Sequence, residues 1–220
     1  MANFEDGVRN CEDGVFILGA GGHAKVVAAT LQEAGIPIAA FLDDDPGKIG
    51  SIIAGVQVAG SLDTIIGKGK VKAVIALGDN RTRKEAAIRF QPYCRWITAI
   101  HPLAVIHESV KIEEGTVVFA GAVIQPDTRI GRHVIVNTGV TIDHDCDIRD
   151  FAHLGPGTHL AGNVALREGC LLGVGVAVIP GRQIGEWSTV GANASVVADV
   201  PDGVIAVGVP AQVIKEISRD

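Results

Sequence analysis

Aliphatic residues recur every six positions, without exception, from Ile106 to Val196. They are Ile106, Ile112, Val118, Ile124, Ile130, Val136, Ile142, Ile148, Leu154, Leu160, Leu166, Leu172, Val178, Ile184, Val190 and Val196. Neither the 3.6 period of a helix nor the two-residue alternation of a half-buried strand produces this pattern. It is the signature of a parallel β-helix. Three short strands then make one triangular coil, residues eighteen apart stack, and each aliphatic points inward from a flat side. Two positions earlier the side chain is usually small, as a narrowing corner demands: Ala104, Thr116, Ala122, Thr128, Cys146, Ala152, Thr158, Cys170, Ser188 and Ala194. Arg182 breaks this second rule, and the sequence gives no reason for it. The unbroken phase predicts that no long loop interrupts the array. The phase ends at Asp202, and "PAQVIKEIS" (210–218) reads as a helix capping the open end, which a repeat array needs covered.

The first hundred residues follow a different rule. Apolar runs at "VFIL" (15–18), "IPIAAFL" (36–42), "VKAVIAL" (71–77) and "RWITAI" (95–100) read as strands. Helix-like segments follow the first, from His23, and the third, from Asn80. Strand and helix in alternation predict a small Rossmann-like parallel α/β domain. The expected division is 1–100 for this domain and 101–220 for the β-helix. "RTRKE" (81–85) reads as the solvated face of a helix, with Asn80 and Arg81 within range of a ligand at its start.

A formal charge of −6 excludes a protein that grips nucleic acid or anionic lipid through a basic surface. No apolar run is long enough for a membrane span, and the N-terminus lacks a signal pattern. The four cysteines show no CxxC spacing, so reduced thiols and a cytoplasmic setting are expected.

"GAGGHA" (19–24) lies between a strand and a helix, with Asp43 and Asp44 about twenty residues on. This mimics a dinucleotide fingerprint. Glycines let the backbone approach a diphosphate and the helix N-terminus favours negative charge, so a nucleotide diphosphate fits without its type being fixed. The bland alternative is an ordinary strand-to-helix turn. A dehydrogenase reading is weakened because a rigid solenoid is not a typical hydride-transfer partner.

The other chemical feature is "GVTIDHDC" (139–146), a histidine between two aspartates inside the hexads. His144 falls two places after inward Ile142, at a corner and pointing outward. It reads either as a solvated corner histidine or as a general base. Cys146 takes a small inward position, so it and His144 diverge, which argues against a metal shared with His153 or His159.

The hexads resemble the left-handed β-helix acyltransferases. "FILGAGGHAKVV", "FLDDD", "IALGDNRTRKE", "NTGVTIDHDCDI", "FAHLGPGTHLAGNV" and "VGVPAQVI" together resemble the bacterial nucleotide-sugar N-acetyltransferases, with a sialic acid O-acetyltransferase branch nearby. The resemblance implies acetyl transfer from acetyl-CoA to the amine of a nucleotide-linked 4-amino-4,6-dideoxysugar, for surface glycan or O-antigen (lipopolysaccharide) synthesis, by a homotrimer without a metal. It implies His144 as base and Asp145 as its acidic partner; Asp145 is one methylene shorter than the Glu of many relatives, so Asp143 competes for that role. It places His153 near the thioester carbonyl, and Val174 and Ala192 in the CoA groove. Gly21, Gly22, His23 and Gly78 would line the sugar-nucleotide loop, with Asp43 and Asp44 at the nucleoside. The rival readings are sugar O-acetylation on the same residues and a non-catalytic β-helix with a nucleotide-sensing domain.

Overall fold

Val15–Leu18, apolar and covered on both faces, forms the central strand β1 of a parallel sheet. The computed structural model describes residues 14–217, so Cys11 and Ser218 lie outside the described residues. Helix α1 (Gly22–Glu33) follows β1 and returns the chain to β2 (Ile38–Leu42), parallel to β1 on one side. A hairpin comes next, β3 (Ile52–Ile53) and β4 (Val56–Gly60), then a 3-10 turn over Leu62–Ile65. Strand β5 (Val71–Ile75) pairs with β1 on its other side, and α2 (Asn80–Phe90) leads to β6 (Cys94–Trp96). The sheet order is β3-β4-β2-β1-β5-β6. The hairpin carries no clear sequence signal, because its turn, Ala54–Gly55, has φ values of 49° and 77° with alanine where Asn or Asp is usual.

The chain folds as two compact units, Met1–Pro102 and Leu103–Asp220. In the second unit the strands are two residues long and stack into three faces, with partners eighteen apart. One face runs through Val117–Val118, Ile135–Val136, His153–Leu154, Leu171–Leu172 and Thr189–Val190. The second contains Thr141–Ile142 and His159–Leu160. The third contains Arg129–Ile130 and Asp147–Ile148. From Val118 onward every hexad aliphatic is at most 3% exposed, while Ile106 and Ile112 in the first coil are half-buried. Each fully buried side chain contributes about 1.5–3 kcal/mol, which fixes the register: a one-residue slip would turn the whole column outward. Cys146 and Cys170 are buried in the corner positions expected of them, and burial pushes their thiols up to about 11 and about 12. Arg182 is accommodated by turning outward. Its Nη1 lies 3.7 Å from Asp199 Oδ1, while its carbonyl still accepts the Ala165 N–H in the coil ladder.

The expected C-terminal helix is not formed. Gln212–Glu216 is a strand, antiparallel to Val204–Val207, which itself continues the first face of the coil. A segment this short gains too few hydrogen bonds to repay helix nucleation. Val213 and Ile214 suit a pleated strand, and the last coil presents an edge whose N–H and C=O groups need partners. The cap is a β-hairpin.

Candidate active site

Ile142 packs inward with no exposure, and the chain then turns the corner through Asp143, His144 and Asp145. The corner is pinned from both neighbouring coils: Asp145 N–H donates to Pro126 O (3.1 Å) and His144 O accepts from Asn163 N–H (2.9 Å). Asp145 has φ 59°, a left-handed conformation that Asp tolerates better than most residues. Its carboxylate Oδ2 lies 2.8 Å from His144 Nδ1. Asp143 does a different job, accepting the backbone N–H of His144 at 2.8 Å. Between the two acids, Asp145 is therefore the one that holds the ring.

Both acids favour the imidazolium. The hydrogen bond that His144 donates to Asp145 is the largest cause, then the Asp143 charge, and together they raise the His144 pKa above its ordinary value. The sign for stability follows: the contribution is fully present below the ordinary histidine value and is lost as pH rises through the raised one. For a base the requirement is opposite, because only the neutral ring accepts a proton. Activity should climb with pH through the raised pKa. In Asp145→Asn the acid limb of kcat/KM should move to lower pH, and the plateau should fall about 10- to 100-fold, a part of the usual general-base contribution. An unchanged pH–rate profile would remove Asp145 from the site.

His153 sits on the first face, not at the His144 corner, with Nε2 3.4 Å from Asn137 Nδ2. The structure does not group it with His144 and Asp145 within one chain by position on the coil. Val174 and Ala192 are exposed and occupy stacked positions on another corner, linked by Asn193 N–H to Val174 O at 2.7 Å. Cys146 Sγ turns toward Ala161 O (3.3 Å), away from the imidazole. Among the described residues no three of His, Cys, Asp and Glu gather as a metal site.

In the first unit, β1 lies between β2 and β5, so the strand order reverses beside it. Ligands of open parallel sheets bind at the carboxyl ends of strands at such a point. The loops there approach closely: a side chain at Gly19 (φ 112°) would meet Ala76 O and Leu77 Cδ2, both at 2.9 Å. Gly21, Gly22 and Gly78 are exposed, and a Cβ on any of them would face open space. Helix α1 starts at this loop with no side-chain cap on its first N–H groups.

Asp43 and Asp44, expected at the nucleoside, hold the scaffold. Asp43 accepts from Ala20 N–H (2.7 Å), Asp45 N–H (2.9 Å) and Lys48 Nζ (3.0 Å), tying the glycine loop to the end of β2. Asp44 accepts from Leu62 N–H (2.9 Å) at the start of the 3-10 turn.

Arg83 corrects the reading of "RTRKE" as wholly solvated: it is 1% exposed. Its guanidinium donates to Leu77 O (3.1 Å), Gly78 O (3.2 Å) and Asn80 Oδ1 (2.7 Å), holding the loop after β5 from beneath. Burial lowers its pKa to about 9, partly offset by the Asp79 carboxylate. His23, with Nε2 buried, is lowered to about 4 by burial and then by the Arg83 charge, so its ring is neutral at physiological pH. In sequence, Arg83 differs from its charged neighbours only in falling on the face shared with Ala86, Ala87 and Phe90.

A corner imidazole–carboxylate pair on a hexapeptide solenoid, in one chain with an α/β unit that carries an open glycine loop, defines an acyltransferase class that other proteins share. The PglD N-terminal domain model matches residues 14–90, and the bacterial transferase hexapeptide model (six repeats) matches 109–144. A variant of perosamine N-acetyltransferase from Caulobacter crescentus, solved with CoA and GDP-perosamine, is 42% identical with a TM-score of 0.88. The match covers 92% of this chain and 97% of that one. The acetyltransferase domain of PglB from Neisseria gonorrhoeae, with acetyl coenzyme A, is 35% identical with a TM-score of 0.87, over 92% and 100% of the two chains. WeeI from Acinetobacter baumannii matches at 25% identity and a TM-score of 0.83, over 91% and 99%. The chain spans only 23% to 36% of the length of several curated relatives it matches, and 54% of a tetrahydropyridine-dicarboxylate N-acetyltransferase from Alkaliphilus metalliredigens. The chain belongs to the nucleotide-sugar N-acetyltransferases of the left-handed β-helix superfamily. No helix among the described residues is long and apolar enough to cross a membrane.

Proposed function

We propose that the protein transfers the acetyl group of acetyl-CoA to the amine of a nucleotide-linked 4-amino-4,6-dideoxysugar, with His144 as general base. The observation that carries this reading is the 2.8 Å pair between His144 Nδ1 and Asp145 on an outward corner. With Asp145 accepting the Nδ1 proton, Nε2 is the basic atom presented outward. As the sugar amine attacks the thioester carbon, Nε2 takes its proton, the tetrahedral intermediate collapses, and CoA leaves as the thiol. Asp145 stabilises the imidazolium formed on the way. A backbone N–H or His153 donates to the developing oxyanion. No covalent acetyl-enzyme is required, and much of the acceleration comes from holding amine and thioester together.

The first unit serves as the sugar-nucleotide holder, with the diphosphate against Gly21, Gly22 and the start of α1, and with His23 and Gly78 beside it. Val174 and Ala192 line the groove for the pantetheine arm. The working assembly is a homotrimer and its setting the cytoplasm. Relatives solved with GDP-perosamine and CoA, or with acetyl-CoA, support the two substrate classes.

The test is free-thiol release from acetyl-CoA with UDP-, GDP- and dTDP-linked 4-amino-4,6-dideoxysugars. One nucleotide series should give turnover and a base-stable amide product. A base-labile product on a hydroxyl would instead establish O-acetylation, and binding of both ligands without thiol release would leave a sensing role.

A further inference from the structure

The corner that carries His144 is one level of a column. Eighteen residues before it stands Pro126, eighteen after it Gly162, and eighteen after that Pro180. Two of the three neighbouring levels carry a ring, and the level directly above the histidine carries no side chain at all.

Backbone conformation does not explain this glycine. Its φ is outside the left-handed region, unlike that of Gly157 or Gly181 in neighbouring turns, so an alanine could adopt the same backbone. Close approach of the next coil does not explain it either. A Cβ at Gly155 or Gly173 would strike the backbone of the coil above. A Cβ at Gly162 would meet the imidazole of His144 instead, at 2.6 Å from Cε1, 2.7 Å from Nε2 and 3.2 Å from Nδ1. Gly162 is itself buried although His144 is largely exposed, since the ring lies over it.

We infer that Gly162 is a positioning residue for the base: its bare backbone is the surface on which the His144 ring rests, and it sets where Nε2 points. The inference rests on the reading of His144 as the base. Two constraints then fix the ring. Asp145 holds Nδ1 in the ring plane, and Gly162 supports the ring's Cε1–Nε2 side. A methyl group at 162 occupies the space of the ring edge, so χ1 or χ2 of His144 must change, and the bond to Asp145 is stretched or lost. The substitution leaves the backbone of residue 162 as it is and removes neither Asp143 nor Asp145.

The test is a double-mutant cycle of Gly162→Ala and His144→Ala, read by thermal midpoint and by kinetics. Gly162→Ala should lower kcat on the order of 10²-fold, the cost of misplacing a reacting group by about an ångström, with KM for both substrates nearly unchanged. Its acid limb in kcat/KM should move to lower pH, because the hydrogen bond that raises the His144 pKa is weakened. The thermal midpoint should fall in Gly162→Ala but not fall further when the same change is made in His144→Ala, where the methyl group meets no ring. If Gly162→Ala keeps wild-type kcat and pH profile while His144→Ala is inactive, the inference is wrong and the base assignment stands. An active His144→Ala overturns the base assignment itself, and the thermal cycle still reads the contact. Equal loss of midpoint in both backgrounds would show that the glycine serves the coil, not the ring.

Discussion

His144→Ala should lower kcat by about 10²- to 10⁴-fold, the range that a positioned general base supplies, with KM for acetyl-CoA and for the sugar nucleotide little changed. The side chain is 58% exposed and its removal opens no cavity, so the fold and its thermal midpoint should survive. The loss should be largest near neutral pH, where a sugar amine is mostly protonated and productive attack depends on removal of its proton. At higher pH, where free amine is abundant, the gap should narrow. A variant retaining near wild-type turnover at neutral pH would mean that the amine loses its proton to solvent, and the corner pair would have no part in the reaction. Isothermal titration of both ligands separates lost chemistry from lost binding.

Arg83→Met should act through stability and substrate affinity. The methionine fills part of the buried space but leaves Leu77 O, Gly78 O and Asn80 Oδ1 without their donor. Gly78 is exposed, so its carbonyl can turn to water, and the loss falls mainly on the buried bond to Asn80 Oδ1; the unfolding free energy should fall by about 1–3 kcal/mol. The loop after β5 should loosen, and KM for the sugar nucleotide should rise while KM for acetyl-CoA does not. Arg83→Lys should recover only part of the loss, since an ammonium cannot reproduce the planar fork that serves three acceptors. Chemical denaturation and the two KM values decide it. An Arg83→Met protein with wild-type stability and affinity would show that the loop holds its shape without the guanidinium.

The β-helix is legible because burial acts on it with one strict period. Every sixth position must be aliphatic to fill a flat side, and the register of Ile124 with Ile142 and Leu160 reads directly from spacing. The corner position of His144 follows from the same count. What periodicity does not carry is harder to see. The choice of Asp145 over Asp143 depends on a left-handed φ at one residue, which no residue type announces unless it is glycine. The end of the chain reads wrongly as a helix because the form of Gln212–Glu216 is decided by hairpin pairing with the edge at Val204–Val207 and not by a pattern of its own. Arg83 looks like surface among its charged neighbours Arg81, Lys84 and Glu85, and only the packing of α2 on its sheet tells its side from theirs. Gly162 is invisible for a similar reason: its partner is one full coil away, and a missing side chain leaves no motif.

The equal height of the coils has a consequence for how such a site can change. Parallel strands stack about 4.8 Å apart, so features in one column of the solenoid are separated along its axis by a whole number of such steps. Val174 and Ala192, eighteen residues apart, are adjacent graduations on one such ruler, and His144 is a mark on the ruler of another corner. A deletion or duplication of eighteen residues between His144 and Val174 would keep every inward column intact and move Val174 and Ala192 by one graduation. A change that is not a multiple of six would break the inward columns, and a multiple of six that is not a multiple of eighteen would keep them aliphatic but carry the corners to other faces. On the proposed assignment of base and groove, the reach between them along the axis changes in discrete jumps, and finer adjustment has to come from side chains at the corners.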